Sequence, residues 1–276
     1  MRSNIHNVAR YFSYSRFSYS FFVNSTKHFG YYPIKRKVTE ACARILMQDK
    51  VAEHLRLPRG SKVLDVGCGE GIPGVYLAKR YGYHIRGITI TPFEVQATRS
   101  LIQKQNMEHS MSVQLMDYHH LKLPAKTFDG VFTMESLVHS YDPSLALHEF
   151  HRVLKKNGKI ALFEYSLALD RELSERERAM VDLAARRAAM PSLKVFRHGH
   201  LVRLVRSAGF KRVRSGDITA HMIPSVRHYK RIGMLVYPLV RVLGLRRAFP
   251  NLTAIMEFFP LLQRGAIRYT IITARK

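Results

Sequence analysis

Val63-Leu64-Asp65-Val66-Gly67-Cys68-Gly69-Glu70-Gly71 is the stretch on which the reading of this chain turns. Lys62 to Val66 is short, apolar and β-branched, which predicts a strand. It runs into glycines at 67, 69 and 71. Glycine lets a backbone turn sharply and lets a ligand approach without a Cβ in the way. Asp65 stands two residues before the first glycine, where a carboxylate can accept a bond from a ligand ammonium or order water beneath it. A rival pattern overlaps this one. Gly69-Glu70-Gly71-Ile72-Pro73-Gly74 formally matches G-x-G-x-x-G, the dinucleotide fingerprint. It starts two residues late, after a turn that is already complete. The acid expected about 20 positions on is also missing, because Thr89-Ile90-Thr91 stands there.

Strand and helix patterns alternate outward from this turn, which predicts an α/β fold. Its core is a Rossmann-like, seven-stranded, mostly parallel sheet with helices on both faces. A helix is predicted from Pro73 to Arg80 and a strand from His84 to Ile90. Thr91, Pro92 and Glu94 then read as N-cap, N1 and N3 of the next helix, a capping box. Further strands are predicted at Ser112–Met116, Gly130–Met134 and Lys159–Phe163. A helix from Ser144 to Leu154 is expected to end at Asn157-Gly158. Helices at Glu172–Ala189 and His200–Ala208 precede two late strands near Arg212–Arg214 and Ile267–Ala274. Residues 217–262 read as a helical cap inserted between them. The division that follows is 1–59, a basic and aromatic lid segment, and 60–276, the catalytic domain.

Charge is distributed unevenly. Residues 1–60 carry 11 Lys/Arg against 3 Asp/Glu, residues 61–170 carry 12 against 11, and residues 171–276 carry 22 against 6. The neutral middle and basic flanks predict that a polyanion is met by the flanks. The candidates are an anionic membrane surface, a nucleic acid or an anionic substrate. Ile232 to Leu245 is apolar but is interrupted by Pro238 and Arg241 and bracketed by Lys230-Arg231 and Arg246-Arg247. It is too short to span a bilayer and suits one that it lies on. The first 39 residues hold no acid and carry Arg2, Arg10 and Arg16 among aromatics from Tyr11-Phe12 to Phe21-Phe22. That composition suits a lid over a pocket, with mitochondrial targeting as the alternative to a cytoplasmic or peripheral membrane location. The two cysteines, Cys42 and Cys68, give no disulfide framework, and the histidines show no metal-ligand spacing, so no metal is expected.

VLDVGCGEG resembles the glycine-rich signature of class I S-adenosylmethionine-dependent methyltransferases. Gly87-Ile-Thr-Ile-Thr-Pro92 is similar to the second segment of their sterol C-24, tocopherol and cyclopropane-fatty-acid branch. The likeness extends to Met116-Asp117-Tyr118, Met134-Glu-Ser-Leu-Val-His139, Arg152-Val-Leu-Lys-Lys-Asn-Gly158 and His200 to Phe210. It implies S-adenosylmethionine as cofactor and a role for each matching residue. Asp65, Gly67 and Gly69 would meet the methionine end, Thr89 and Ile90 the ribose, and Asp117 and Tyr118 the adenine, with Cys68 and Gly71 also cofactor-binding. Glu135 and His139 would stand at the methyl-transfer face. The plainer reading of that last pair is an i,i+4 contact on one helical turn. Where the branch carries Gln, this chain has Glu94.

The cap region 217–262 holds many Met, Leu, Val, Phe and Tyr but only two acids, Asp217 and Glu257, which suits a lipophilic small-molecule acceptor. An RNA methyltransferase, motivated by the charge, and a silent scaffold are the alternatives. No RNA-binding module or amino-methylation tetrad is present to favour the first.

Overall fold

The computed structural model describes residues 2–23, 26–244 and 250–276. Leu245, Arg246 and Arg247 lie outside them, as do the side chains of Arg2, Arg16, Phe21, Phe22 and Arg241. Seven strands form one sheet in the order β3-β2-β1-β4-β5-β7-β6. They are β1 (Lys62–Val66), β2 (His84–Thr89), β3 (Met111–Leu115), β4 (Phe128–Met134), β5 (Leu154–Leu167), β6 (Lys211–Asp217) and β7 (Ile267–Arg275). β1 to β5 pair in parallel, and β7 runs antiparallel to both β5 and β6.

β1 is the centre of this arrangement. Its Val63, Leu64 and Val66 are fully buried between β2 and β4, as expected of a continuous apolar run covered on both faces. Helical crossovers carry the chain from β1 out to β3 through α3 (Ile72–Tyr81) and α4 (Pro92–Lys104). It then returns and continues the other way from β4 to β5 through α5 (Pro143–Val153). The reversal places helices on opposite faces and opens a crevice at the carboxyl ends of β1 and β4.

Before β1 come α1 (Arg2–Val23) and α2 (Glu40–Leu55), and α2 packs on α3 and β5. α6 (Glu175–Arg187) and α7 (His200–Ser207) follow β5. α8 (Thr219–Val242) and α9 (Pro250–Gln263) lie between β6 and β7 and pack on each other. The stretch from Ile232 is therefore not a separate element but the second half of α8, which continues through Pro224 and Pro238.

Three local expectations are corrected. α5 ends at Val153, one residue from the expected Leu154, but Asn157-Gly158 is not its stop, because Leu154 is already extended and pairs with Phe128. Asn157, at φ 65°, sits instead in an irregularity where the β4–β5 register shifts. β5 continues four residues past Phe163, since β7 pairs with it as far as Leu167. The Thr91–Glu94 capping box does not form: Thr91 makes no side-chain cap bond, and Glu94 turns to other partners. A capping box is present at Ser174 and Glu177, which starts α6.

Candidate active site

One cavity sits at the crevice. It is lined from β1 and its turn by Asp65, Gly67, Cys68 and Gly69, from β2 by Thr89 and Ile90, and from β3 by Asp117 and Tyr118. Glu135 and His139, after β4, line it too. Empty space in it amounts to about 1110 Å³, its open mouth included. Gly67 holds φ 71°, and a Cβ there would lie 2.0 Å from Ser136 Oγ. Gly71, at φ 80°, closes the turn as N-cap of α3, with Thr98 Cγ2 2.4 Å from where its Cβ would be. These two positions accept only glycine, for conformation and for space. Cys68 is buried in the same wall, its Sγ 2.9 Å from the Cβ position of Gly87, and burial pushes its thiol well up.

Asp65 is 2% exposed, and its Oδ2 is buried without a hydrogen-bond partner. Burial alone pushes its carboxyl up to about 8. Asp65 lines the cavity, and a buried carboxyl with an orphaned oxygen is costly unless a donor meets it. The residues therefore fit a group that brings an ammonium.

At the β2 end, Thr89 Oγ1 donates to Glu94 Oε2, and Lys27 Nζ bonds to Glu94 Oε1. Lys27 comes from the segment after α1 and stands 5.0 Å from the Phe12 ring centroid and 5.2 Å from that of Phe93. Ile5, Val8 and Phe12 of α1 line the cavity, so this helix borders the same space. At the β3 end, the His119 backbone N–H donates to Asp117 Oδ1 at 3.0 Å, and His119 Nδ1 bonds to the same oxygen at 2.6 Å. Burial alone would raise the Asp117 carboxyl, but these bonds hold it below its ordinary value. Tyr118 is buried and donates to the Ser136 carbonyl at 3.3 Å, while burial pushes its phenol up.

Glu135 and His139 do not form an i,i+4 pair. Glu135 has φ 56° and His139 ends a single 3₁₀ turn, Leu137–His139, so the chain between them is not α-helical. Glu135 Oε1 accepts from Phe29 N at 3.0 Å and from the Tyr269 hydroxyl at 3.1 Å, and its Oε2 accepts from the Tyr165 hydroxyl. Burial pushes this carboxyl up to about 7 against the lowering effect of those bonds. His139 Nδ1 lies 2.8 Å from the Ala189 carbonyl. A carbonyl only accepts, so Nδ1 carries the hydrogen and Nε2 is left as the acceptor. Burial lowers the imidazole to about 4, so it is neutral at pH 7. Beneath the turn, buried Glu164 accepts the backbone N–H groups of Ser136, Leu137 and Val138.

Lys27, Glu164, Tyr165 and Tyr269 are the functional candidates that sequence reasoning did not single out. Only Tyr165 had a usable signal, its alternation with Phe163 along the strand. Lys27 and Tyr269 reach the cavity through contacts 67 and 134 positions long.

A switch-point cavity walled by a glycine turn and a buried acid defines a cofactor site of the open α/β class. A methyltransferase domain family model matches residues 64–162. The S-adenosyl-L-methionine-dependent Diels-Alderase iccD of Talaromyces variabilis is 31% identical over 95% of this chain and 91% of its own. A sterol 24-C-methyltransferase of Gibberella zeae is 24% identical over 76% of this chain and 55% of its own. The crystal structure of mycolic acid cyclopropane synthase CmaA1 with SAH and CTAB superposes with a TM-score of 0.86 at 17% identity, covering 99% and 98% of the two chains. The chain belongs to the class I S-adenosylmethionine-dependent methyltransferases, and S-adenosylmethionine is its cofactor.

Proposed function

We propose that the enzyme transfers a methyl group to a lipophilic small molecule held between the glycine turn and α1. The observation that carries this reading is Asp65 Oδ2, buried and unpartnered at the switch point. On this reading Asp65 accepts the cofactor ammonium, and Gly67, Cys68, Gly69 and Gly71 let the methionine end approach. Thr89 and Ile90 border the ribose, and Asp117 and Tyr118 border the adenine. When bound, the cofactor supplies an electrophilic methyl on a sulfonium.

The protein's share of the work is alignment and water exclusion, because an in-line displacement needs little else. Phe12, Val8 and Ile5 supply the apolar cover. For an acceptor with an acidic O–H or N–H, neutral His139 takes the proton at Nε2. For an alkene acceptor, Glu135 stabilises the developing cation by charge and the rings of α1 by cation–π contact. Tyr165, Tyr269 and the Phe29 amide hold Glu135 in place for either.

A second reading has a specific observation behind it: the relative that matches over 95% of this chain is named a Diels-Alderase. In that case the same walls fold a polyene, and the cofactor is not consumed. Labelled S-adenosylmethionine with a panel of lipophilic alcohols, amines, alkenes and polyenes that pair a diene with a dienophile separates the two. Label in the product with equimolar S-adenosylhomocysteine supports methyl transfer. A product of unchanged mass with no S-adenosylhomocysteine supports cyclisation.

The acceptor would be met at an anionic membrane surface. Along α8, Leu235 is 86%, Leu239 59% and Val242 82% exposed, on one helix face, with Arg227 and Arg231 exposed a turn or two earlier. Among the described residues no helix is long and apolar enough to cross a membrane. An amphipathic stretch with cations beside it suits the interface plane.

A further inference from the structure

A second cleft adjoins the reactive cavity, between α1 and the carboxyl end of α6. Arg10 of α1 and Arg186, Arg187 and Lys194 from α6 and the turns after it give it four cations. Its one carboxylate among the described residues, Asp182, is already paired with Lys194. Arg10 and Arg186 are exposed, and Arg10 is steadied by Tyr14, whose ring centroid lies 5.3 Å from the guanidinium. The cleft lies directly against the cofactor cavity, with Val8 and Met190 lining both. His139 stands at the join. Its Nδ1 is bonded to Ala189 O, its ring stacks on Tyr11 at 6.1 Å, and Ala189 and Tyr11 both line the basic cleft.

We propose that this cleft binds the acidic head of an amphiphilic acceptor, while the apolar, reacting part passes between Val8 and Met190 to the methyl-transfer face. The proposal rests on the acceptor reading above and narrows it to lipophilic molecules that carry a compact oxyanion. A carboxylate and a phosphate share the chemistry required. Both match the planar fork of a guanidinium, which binds oxygens in pairs and stays charged at any working pH. A neutral sterol-like acceptor would leave the arginines without a role. A cationic head would be repelled by them. The position at the join explains why the anchor lies beside His139: a head held here presents the adjoining atoms to that imidazole.

The test uses the full chain saturated with S-adenosylhomocysteine, titrated calorimetrically with laurate, dodecyl phosphate and dodecyltrimethylammonium below their micelle concentrations. Laurate or dodecyl phosphate should bind at least tenfold more tightly than the ammonium. Whichever of the two binds better names the oxyanion. Arg10→Glu with Arg186→Glu should weaken that binding about tenfold or more, since charge-assisted bonds are lost and repulsion replaces them. Arg10→Lys with Arg186→Lys should retain part of it. Affinity for S-adenosylhomocysteine should not change in either variant, because neither residue lines the cofactor cavity. Equal affinity for anionic and cationic heads, or anion binding indifferent to the charge reversal, would overturn the proposal. Failure of the wild type to bind S-adenosylhomocysteine at all would instead count against the cofactor-site assignment.

Discussion

Lys27 bonds to Glu94 across the mouth of the cofactor cavity and so ties the segment after α1 to the start of α4. Both side chains are largely shielded, at 13% and 4% exposure, and Glu70 stands 4.0 Å from the same ammonium as a second, looser partner. Breaking a buried pair from one side leaves an uncompensated charge and costs about 3–5 kcal/mol. Lys27→Met should therefore lower the thermal midpoint by several degrees and speed dissociation of S-adenosylhomocysteine. Adding Glu94→Gln to Lys27→Met should recover most of the lost stability. Calorimetric melts of the two single variants and the double variant form the cycle. Additive losses would show that the two residues do not act as a pair.

Glu135 gives a prediction in pH. Its carboxyl is held up at about 7 by burial, and the Tyr165 bond is the strongest influence lowering it. If the anion is the working form, turnover rises through pH 7. Tyr165→Phe should move that limb to higher pH, and Tyr269→Phe should do the same to a smaller degree. Cofactor affinity should stay constant in both. The sign for stability is opposite to that of an ordinary paired carboxylate. The folded value lies above the unfolded one, so the contribution is full below about pH 4 and is lost as pH rises through about 7. A pH–rate profile that Tyr165→Phe leaves in place would detach Glu135 from turnover.

The glycine turn, Asp65 and the alternating strands were legible in the sequence because their chemistry lies in contiguous residues. Val63 to Gly71 carries strand, turn and acid together. Glu94 was misread because Thr91-Pro92-Phe93-Glu94 satisfies a local pattern, whereas the folded chain brings it an ammonium from 67 positions away. A charged partner in a shielded site outweighs a backbone N–H that water or the helix itself can serve. Tyr269 was invisible for a related reason. It reaches Glu135 only once β7 inserts antiparallel beside β5 and sets Tyr165 opposite it. The end of α5 falls within one residue of its expected place, but Asn157-Gly158, a common helix stop, here serves a strand irregularity.

Membrane docking by α8 is tested with vesicles. The wild type should co-sediment with vesicles containing phosphatidylserine, and less so as salt rises, each nearby Lys or Arg contributing about 1 kcal/mol. Leu235→Glu with Leu239→Glu should abolish recovery without changing the affinity for S-adenosylhomocysteine, since neither residue lines the cofactor cavity. Equal recovery on neutral and anionic vesicles, or none on either, would remove this role from α8.

On the proposed function the buried carboxyl of Asp65 receives the cofactor ammonium. The free carboxyl is held at about 8, so it is mostly protonated at pH 7, and an arriving ammonium must displace that proton. The direct measurement is isothermal calorimetry of S-adenosylhomocysteine binding at pH 7, in buffers of different ionisation enthalpy, on the wild type and Asp65→Asn. The wild type should release close to one proton per site, and the variant should bind at least a hundredfold more weakly with no proton release from residue 65. Unchanged affinity and unchanged proton release in Asp65→Asn would contradict it.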